Sequence, residues 1–315
     1  MMMLSQSQDF RREASLVEIE AAEEPFNYRF HLQQGPIDLV IDLRGRRAAV
    51  MHAEHKAQTR FATILEELVQ ELDLLRQPLP KNKIDSDLPQ GSVAQKMWAA
   101  VRKFDRQFIT PMAAVAGAVA DEILGCLSVV TGLQRAIVNN GGDIALWGVH
   151  GQTFDIGLID NPVGPHRNDT PTKVTFSANK GVQGVATSGW RGRSQSLGIA
   201  DAVTVFAADA ATADAAATLI ANEVNVESCS IIRAPANHRY PDSDLGEQLV
   251  TVDVLPLTPN EVSCALRAGA SRADVIIQRS DIHAVIIALA GQLTYLGSLH
   301  SPSLSTLANV EPGVW

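Results

Sequence analysis

Cysteine is scarce: Cys126, Cys229 and Cys264 are the only three in 315 residues, and no two stand in a CxxC pair. That excludes a disulfide framework and a cysteine-built zinc site, and it points to a reducing, cytoplasmic setting. Aromatic residues make up 5% of the chain, so Ala, Val, Ile and Leu must build the core. Positive charge is short: 26 Lys and Arg stand against 35 Asp and Glu, a net charge of −9. Without a separate basic stripe such a chain repels a phosphate backbone, so nucleic acid is not an expected partner. The longest apolar run, Phe108 to Ala120, stops at Asp121 and Glu122. It falls short of the roughly 20 residues that a bilayer span needs, and no membrane partner is expected. Met1 to Ala14 mixes Arg11, Arg12, Asp9 and Glu13 with no apolar stretch, unlike a secretory signal. The phosphate-loop, dinucleotide and nucleophile-elbow motifs are all missing.

What is present is a globular composition, 46% hydrophobic and 19% charged. We read residues 1–315 as one domain: a tail over 1–26, a meander and helices over 27–107, a motif-bearing part over 108–297 and a tail over 298–315. The patterns predict strands over Asn27–Leu32, Ile37–Leu43 and Ala48–Met51. A helix follows from Glu54 to Leu75, with Phe61, Ile64, Leu65, Leu68 and Leu72 at steps of three and four. Further helices are expected over Ser92–Phe104, from Thr110 as N-cap to about Val130, over Ala211–Val224, and from the Thr258 capping box to near Gly269. Ile144–Trp147 and Thr153–Ile159 read as a hairpin. Strands are expected over Val174–Phe176, Val182–Thr187, Ala202–Ala207, Cys229–Arg233, Leu249–Val254 and Ile282–Leu289. Lys81–Gly91, Asn161–Thr172 and Ala234–Gly246 read as polar loops. The two halves suggest an internal duplication.

Three segments could carry chemistry. Asn140-Gly141-Gly142-Asp143 follows a strand. Its glycines allow positive φ and close backbone approach, and Asp143 offers a carboxylate; the same letters also make an ordinary tight turn. Asp214 and Thr218 sit four apart on one helical face, a carboxylate and a hydroxyl fit for Mg²⁺, or equally a helix cap and a back-bonded threonine. Thr187-Ser188-Gly189-Trp190-Arg191-Gly192-Arg193-Ser194 puts two arginines among small residues, suited to a phosphate or carboxylate, or to plain solvent exposure. His52 and His55 read as surface residues, His283 as a core residue, and Asp242 and Asp244 as a loop without calcium-loop spacing.

Taken in order, Asn140–Ile144, Ala186–Gly189, the strand Val203–Ala207 and Ala213–Thr218 resemble the ApbE-like superfamily, the relatives of FAD:protein FMN transferases. The resemblance covers roughly Thr110 to Asn222. It implies an α+β fold of antiparallel sheets backed by helices, related to tunnelling folds. It also implies a flavin or related nucleotide near Asn140, Gly141, Gly142, Asp143, Thr187, Ser188 and Gly189, with Mg²⁺ on Asp214 and Thr218. A transferase or a pyrophosphate-cleaving activity would follow. One departure matters. Where the transferases carry a His-Ile-Ile-Asp-Pro-x-Thr-Gly stretch, this chain has Ser194-Gln195-Ser196-Leu197-Gly198-Ile199-Ala200-Asp201. The alternatives are an enzyme acting on a pterin or other small metabolite, with Arg239, Tyr240 and Asp242 on its substrate loop, and a carrier that binds without reacting. The fold relation also makes a homo-oligomer an expectation.

Overall fold

The computed structural model describes residues 24–79, 88–104, 108–158, 173–192 and 194–299. The expected tails, most of the Lys81–Gly91 and Asn161–Thr172 loops, and Arg193 lie outside them. An eight-stranded antiparallel sheet forms the body, in the order β1-β2-β3-β4-β7-β8-β11-β12. Its strands are β1 (Phe26–Gln34), β2 (Ile37–Gly45), β3 (Leu133–Asn140), β4 (Asp143–Gly148), β7 (Gly184–Ser188), β8 (Ala202–Ala207), β11 (Ile282–Leu289) and β12 (Gln292–Gly297). The helices are α1 (Arg47–Gln70), α2 (Leu72–Leu75), α3 (Ser92–Arg102), α4 (Val115–Ser128), α5 (Ala210–Glu223), α6 (Ala236–Arg239) and α7 (Pro259–Ile277). Two small sheets pair β5 (Thr153–Gly157) with β6 (Lys173–Ser177), and β9 (Ile231–Pro235) with β10 (Leu249–Val254).

The strand order resolves the expected duplication. Two hairpins, β1–β2 and β3–β4, flank α1 to α4; two more, β7–β8 and β11–β12, flank α5 to α7. Each half is thus two hairpins separated by helices. The halves join where β4 pairs with β7, through only Ile144↔Val185 and Ala145↔Gly184. One face of the sheet supplies the main core. Along β2, Ile37, Leu39, Ile41 and Leu43 are buried at a period of two, the mark of a strand with one covered face. On α1 the buried residues Val50, Ala53, Ala57, Phe61, Ile64 and Leu68 follow the helical period.

α4 and α5 lie deepest. α5 is buried nearly all round, and its many alanines let neighbouring backbones come close. Gly117, Gly184 and Gly198 mark close approaches to it, where a Cβ would overlap the Ala210 carbonyl, the Asp209 backbone and the Ala221 carbonyl. By length and composition, the stretch Pro111–Ser128 is apolar enough to cross a membrane. In this fold it packs as a core helix, with Ala118, Val119, Ile123 and Leu127 fully buried.

Several sequence expectations need correction. Ala48–Met51 is not a strand but the first turn of α1, because Ala49, Val50 and Ala53 face the core at helical spacing. Ile144–Trp147 and Thr153–Ile159 do not form a hairpin with each other: β7 occupies the free edge of β4, and β5 turns to pair with β6. Phe154, Ile156, Val174 and Phe176 then fill a second core with Leu146 and Phe206. Thr110 does not cap a helix. A 3₁₀ turn, Pro111–Ala114, intervenes before α4, and the Thr110 hydroxyl donates to Asp244 instead. α7 runs through Gly269, whose missing side chain makes room for Val224. The polar stretch Ala234–Gly246 contains the short helix α6.

Candidate functional site at the junction of the two halves

The β3–β4 hairpin turns on Gly141 (φ 67°) and Gly142 (φ 117°), with Asn140 paired to Asp143. Positive φ at both central residues is the type I′ requirement, and it favours glycine at both. The Asn139 side chain accepts from the Gly142 N–H at 2.8 Å and fixes the turn. Asn140 is buried, and both ends of its amide are used: Nδ2 donates to the Ala116 carbonyl at 3.1 Å, and Oδ1 accepts from the Asp38 N–H at 3.4 Å. It braces the hairpin against α4. Asp143, immediately beyond the turn, faces other groups.

The Asp143 carboxylate accepts the backbone N–H of Thr187 at the end of β7. Enclosure by protein pushes its pKa up to about 7, with that hydrogen bond pulling the other way. Beside it stands Asp214, in the second turn of α5. Its Oδ2 accepts from the Gly117 N–H at 3.0 Å, and Ala116 donates as well. Burial first, and then the nearby charge of Asp143, hold the Asp214 pKa well above the usual carboxylate range. No Lys or Arg among the described residues forms an ion pair with either group. Two adjoining carboxylates without a cation repel each other and share protons instead.

The structure thus brings the three sequence segments together. Thr187 reaches Asp143 by its backbone while its hydroxyl bonds Thr204 at 2.9 Å. Ser188 is buried, and Gly189 lies too close to the Asp201 carbonyl to admit a side chain. Thr218 is one turn beyond Asp214 on α5, half-buried, and its hydroxyl has no hydrogen-bond partner among the described residues. No cluster of three or more His, Cys, Asp and Glu suited to a metal occurs among the described residues. A cation at this place would rest on Asp143, Asp214 and the Thr218 hydroxyl, with water completing its shell. Hard oxygen donors of this kind, beside an uncompensated negative pair, fit Mg²⁺.

One residue of this region escaped the sequence reading. Asp121, in the second turn of α4, accepts from the Ala210 and Ala211 N–H groups at 3.0 and 2.9 Å. It caps α5, just as Asp214 caps the start of α4. Burial raises its pKa to about 7. The signal was the spacing of Gly117 and Asp121 opposite Asp209 and Asp214, visible only once the helices are known to touch. Asp209 is the N-cap of α5 and accepts from Thr212. A cavity of about 340 Å³ opens on the far side of this crossing, with Lys96, Lys103, Asp121, Trp147, Asp209 and Thr212 in its wall. Trp147 is at the opposite end of β4 from Asp143, and none of the sequence-predicted site residues lines this cavity.

A family model described as AbpE bacteria matches residues 20–295. A UPF0280 protein of Methanosarcina barkeri is 40% identical over 129 residues, 39% of this chain and 46% of its own length. A UPF0280 protein of Methanoregula boonei is 32% identical over 173 residues, 52% of this chain and 68% of its own length. The chain spans about half the length of most of the curated relatives it matches. Among solved structures, the apo flavinyl transferase ApbE of Pseudomonas stutzeri aligns over 91% of this chain and 98% of its own, at 12% identity and a TM-score of 0.47. The ApbE protein of Thermotoga maritima aligns over 91% and 100%, at 12% identity and a TM-score of 0.44. The family model runs across both hairpin pairs of each half and ends within β12, and it bears out the resemblance read from the motifs. By that match, the chain belongs to the family described as AbpE bacteria.

Proposed function

We propose that the junction of the two halves binds a flavin or related nucleotide together with Mg²⁺. The observation that carries this reading is the half-buried Asp143–Asp214 pair, which has no balancing Lys or Arg among the described residues. Asp143, Asp214 and Thr218 would hold the ion. Bound there, Mg²⁺ would neutralise a diphosphate and act as a Lewis acid on it. The chain's own residues do the positioning. The Thr187 N–H and the Gly117 N–H fix the two carboxylates, and the type I′ turn holds Asp143 at the mouth of the junction. Family membership supports a transferase-like or pyrophosphate-cleaving activity, in the reducing cytoplasm that the free cysteines suit.

A second reading, a nucleotide carrier, has an observation of its own. In the segment that replaces the transferases' histidine stretch, polar groups are tied into the fold. Both oxygens of Asp201 are occupied, by Arg191 Nε at 2.8 Å and the Ala290 N–H at 2.7 Å, and Ser196 bonds Asn222. No acid or base stands free there. Thermal melting with FAD, FMN, a pterin and ATP, each with and without Mg²⁺, tests the binding. A ligand at about 100 times its Kd stabilises by about 2.7 kcal/mol. A Mg²⁺-dependent shift with FAD supports the reading, and a shift with the pterin alone or with none of them contradicts it. Incubation with FAD, Mg²⁺ and an acceptor protein separates the two forms. Release of AMP marks the enzyme, and binding without release marks the carrier.

A further inference from the structure

The chain leaves the acidic pair through Thr187, Ser188 and Gly189 and enters Trp190-Arg191, a pair that the site described above does not use. The Arg191 guanidinium stacks over the Trp190 ring with its central carbon 4.3 Å from the centroid. Its Nε donates to Asp201 Oδ1 at 2.8 Å. Asp201 is itself fixed on its other oxygen by the Ala290 N–H at 2.7 Å. Ala290 is the one described non-glycine residue with positive φ, 49°, at the β11–β12 turn, a conformation that costs a side-chain-bearing residue about 1 kcal/mol. The Trp190 N–H is held by the Ala200 carbonyl at 3.1 Å. The arginine is thus oriented through its inner nitrogen and one ring face, while its two outer nitrogens, Nη1 and Nη2, have no acceptor among the described residues. The indole Nε1–H of Trp190 is also buried without an acceptor.

A stacked, pre-oriented guanidinium with its outer donors free, next to a buried donor lacking a partner, matches a bidentate oxyanion receptor. A buried unpaired N–H costs stability, and an acceptor supplied by a ligand removes that cost. We propose that Arg191 and Trp190 anchor an oxyanion, a phosphate or a carboxylate, carried by the molecule that occupies the junction. This rests on reading the neighbouring Asp143–Asp214 pair as a ligand site. The two features then divide the recognition: the acidic pair takes the cation, and Arg191 takes an anionic group a few residues further along the chain.

Isothermal titration of the full chain in EDTA, with inorganic pyrophosphate and separately with malonate, tests the anchor without Mg²⁺. Saturable binding to the wild type is expected. Arg191→Lys keeps the charge but loses the fork, and should bind at least about tenfold more weakly with an unchanged melting curve. If Arg191→Lys melts early, Trp190→Phe tests the same anchor by removing only the indole donor, and should also weaken binding. Repeating the wild-type titration with Mg²⁺ in place of EDTA tests the cation reading by itself, and Mg²⁺ should strengthen pyrophosphate binding. That comparison therefore separates a failure of the metal reading from a failure of the anchor. Saturation with malonate and not with pyrophosphate would assign the anchor to a carboxylate. No saturable heat with either probe would overturn the proposal. So would unchanged affinity in both Arg191→Lys and Trp190→Phe.

Discussion

Asp121 and Asp214 hold matching places on α4 and α5. Each lies in the second turn of its own helix and reaches across to the first-turn N–H groups of the other. Each is half-buried, and desolvation raises each above its ordinary pKa. Their surroundings differ. Asp121 receives one N–H on each oxygen, and its strongest listeners are backbone groups of α5. Asp121 also feels the Asp209 carboxylate, but Lys96 offsets it; Asp214 feels Asp143 and Asp121 with no cation, and one turn on stands Thr218, whose hydroxyl has no hydrogen-bond partner among the described residues. The two helices thus repeat one capping device, and on the Asp214 side the added carboxylate has no cation to offset it among the described residues.

The comparison can be broken first at the crossing. Gly117→Ala would drive a methyl into the Ala210 carbonyl. Because both helices are tied at that point, the variant should lose at least about 3 kcal/mol or fail to fold, as denaturant unfolding would register. Asp121→Ala is next. It strands two buried N–H groups at the α5 start and should cost about 2–4 kcal/mol, with Asp121→Asn milder because one acceptor remains. If Asp121→Ala proved neutral, the structural assignment of that side would fall.

The acidic side should respond to pH in the opposite sense to an ordinary salt-bridged carboxylate. Asp143 titrates near 7 in the fold, against 3.8 for the free side chain. Between those values the folded state binds more protons than the unfolded one, so this group's contribution falls as pH rises from about 4 to 7 and is flat above. Asp143→Asn should therefore gain stability relative to the wild type across that interval, and the gain should level off above pH 7. Melting curves of the two proteins over pH 4–9 would measure it. A gain that grew towards low pH would contradict the burial assigned to Asp143. The smallest effect is expected at Gly142→Ala. A Cβ there meets nothing within 4 Å, so only the φ of 117° resists, at about 1 kcal/mol.

Much of this was legible in the sequence, and for identifiable reasons. The strands of the main sheet carry period-two burial, as in β2, or nearly continuous apolar runs, as in β8 and β11, and both patterns survive in the fold. The three motif segments were readable because turn chemistry and helical spacing are local. What bound them together was not local. Asp143 and Asp214 lie in different halves, and only the β4–β7 joint and the α4–α5 crossing make them neighbours. The same limit explains the misassigned hairpin: β4 and β5 are close in sequence, but β7 takes the edge of β4. For Asn140 the motif suggested a ligand contact, and the fold shows its amide also bracing the hairpin against Ala116 and Asp38.

The most direct test is the melting temperature at pH 8 of the wild type and Asp214→Asn, each with FAD, with and without Mg²⁺. Above about pH 7 the pair sheds protons and most needs a cation. The account predicts that Mg²⁺ raises the wild-type melting temperature in the presence of FAD and leaves Asp214→Asn unmoved. Equal shifts in the two proteins, or no shift in either, would contradict a cation-dependent nucleotide site at the junction.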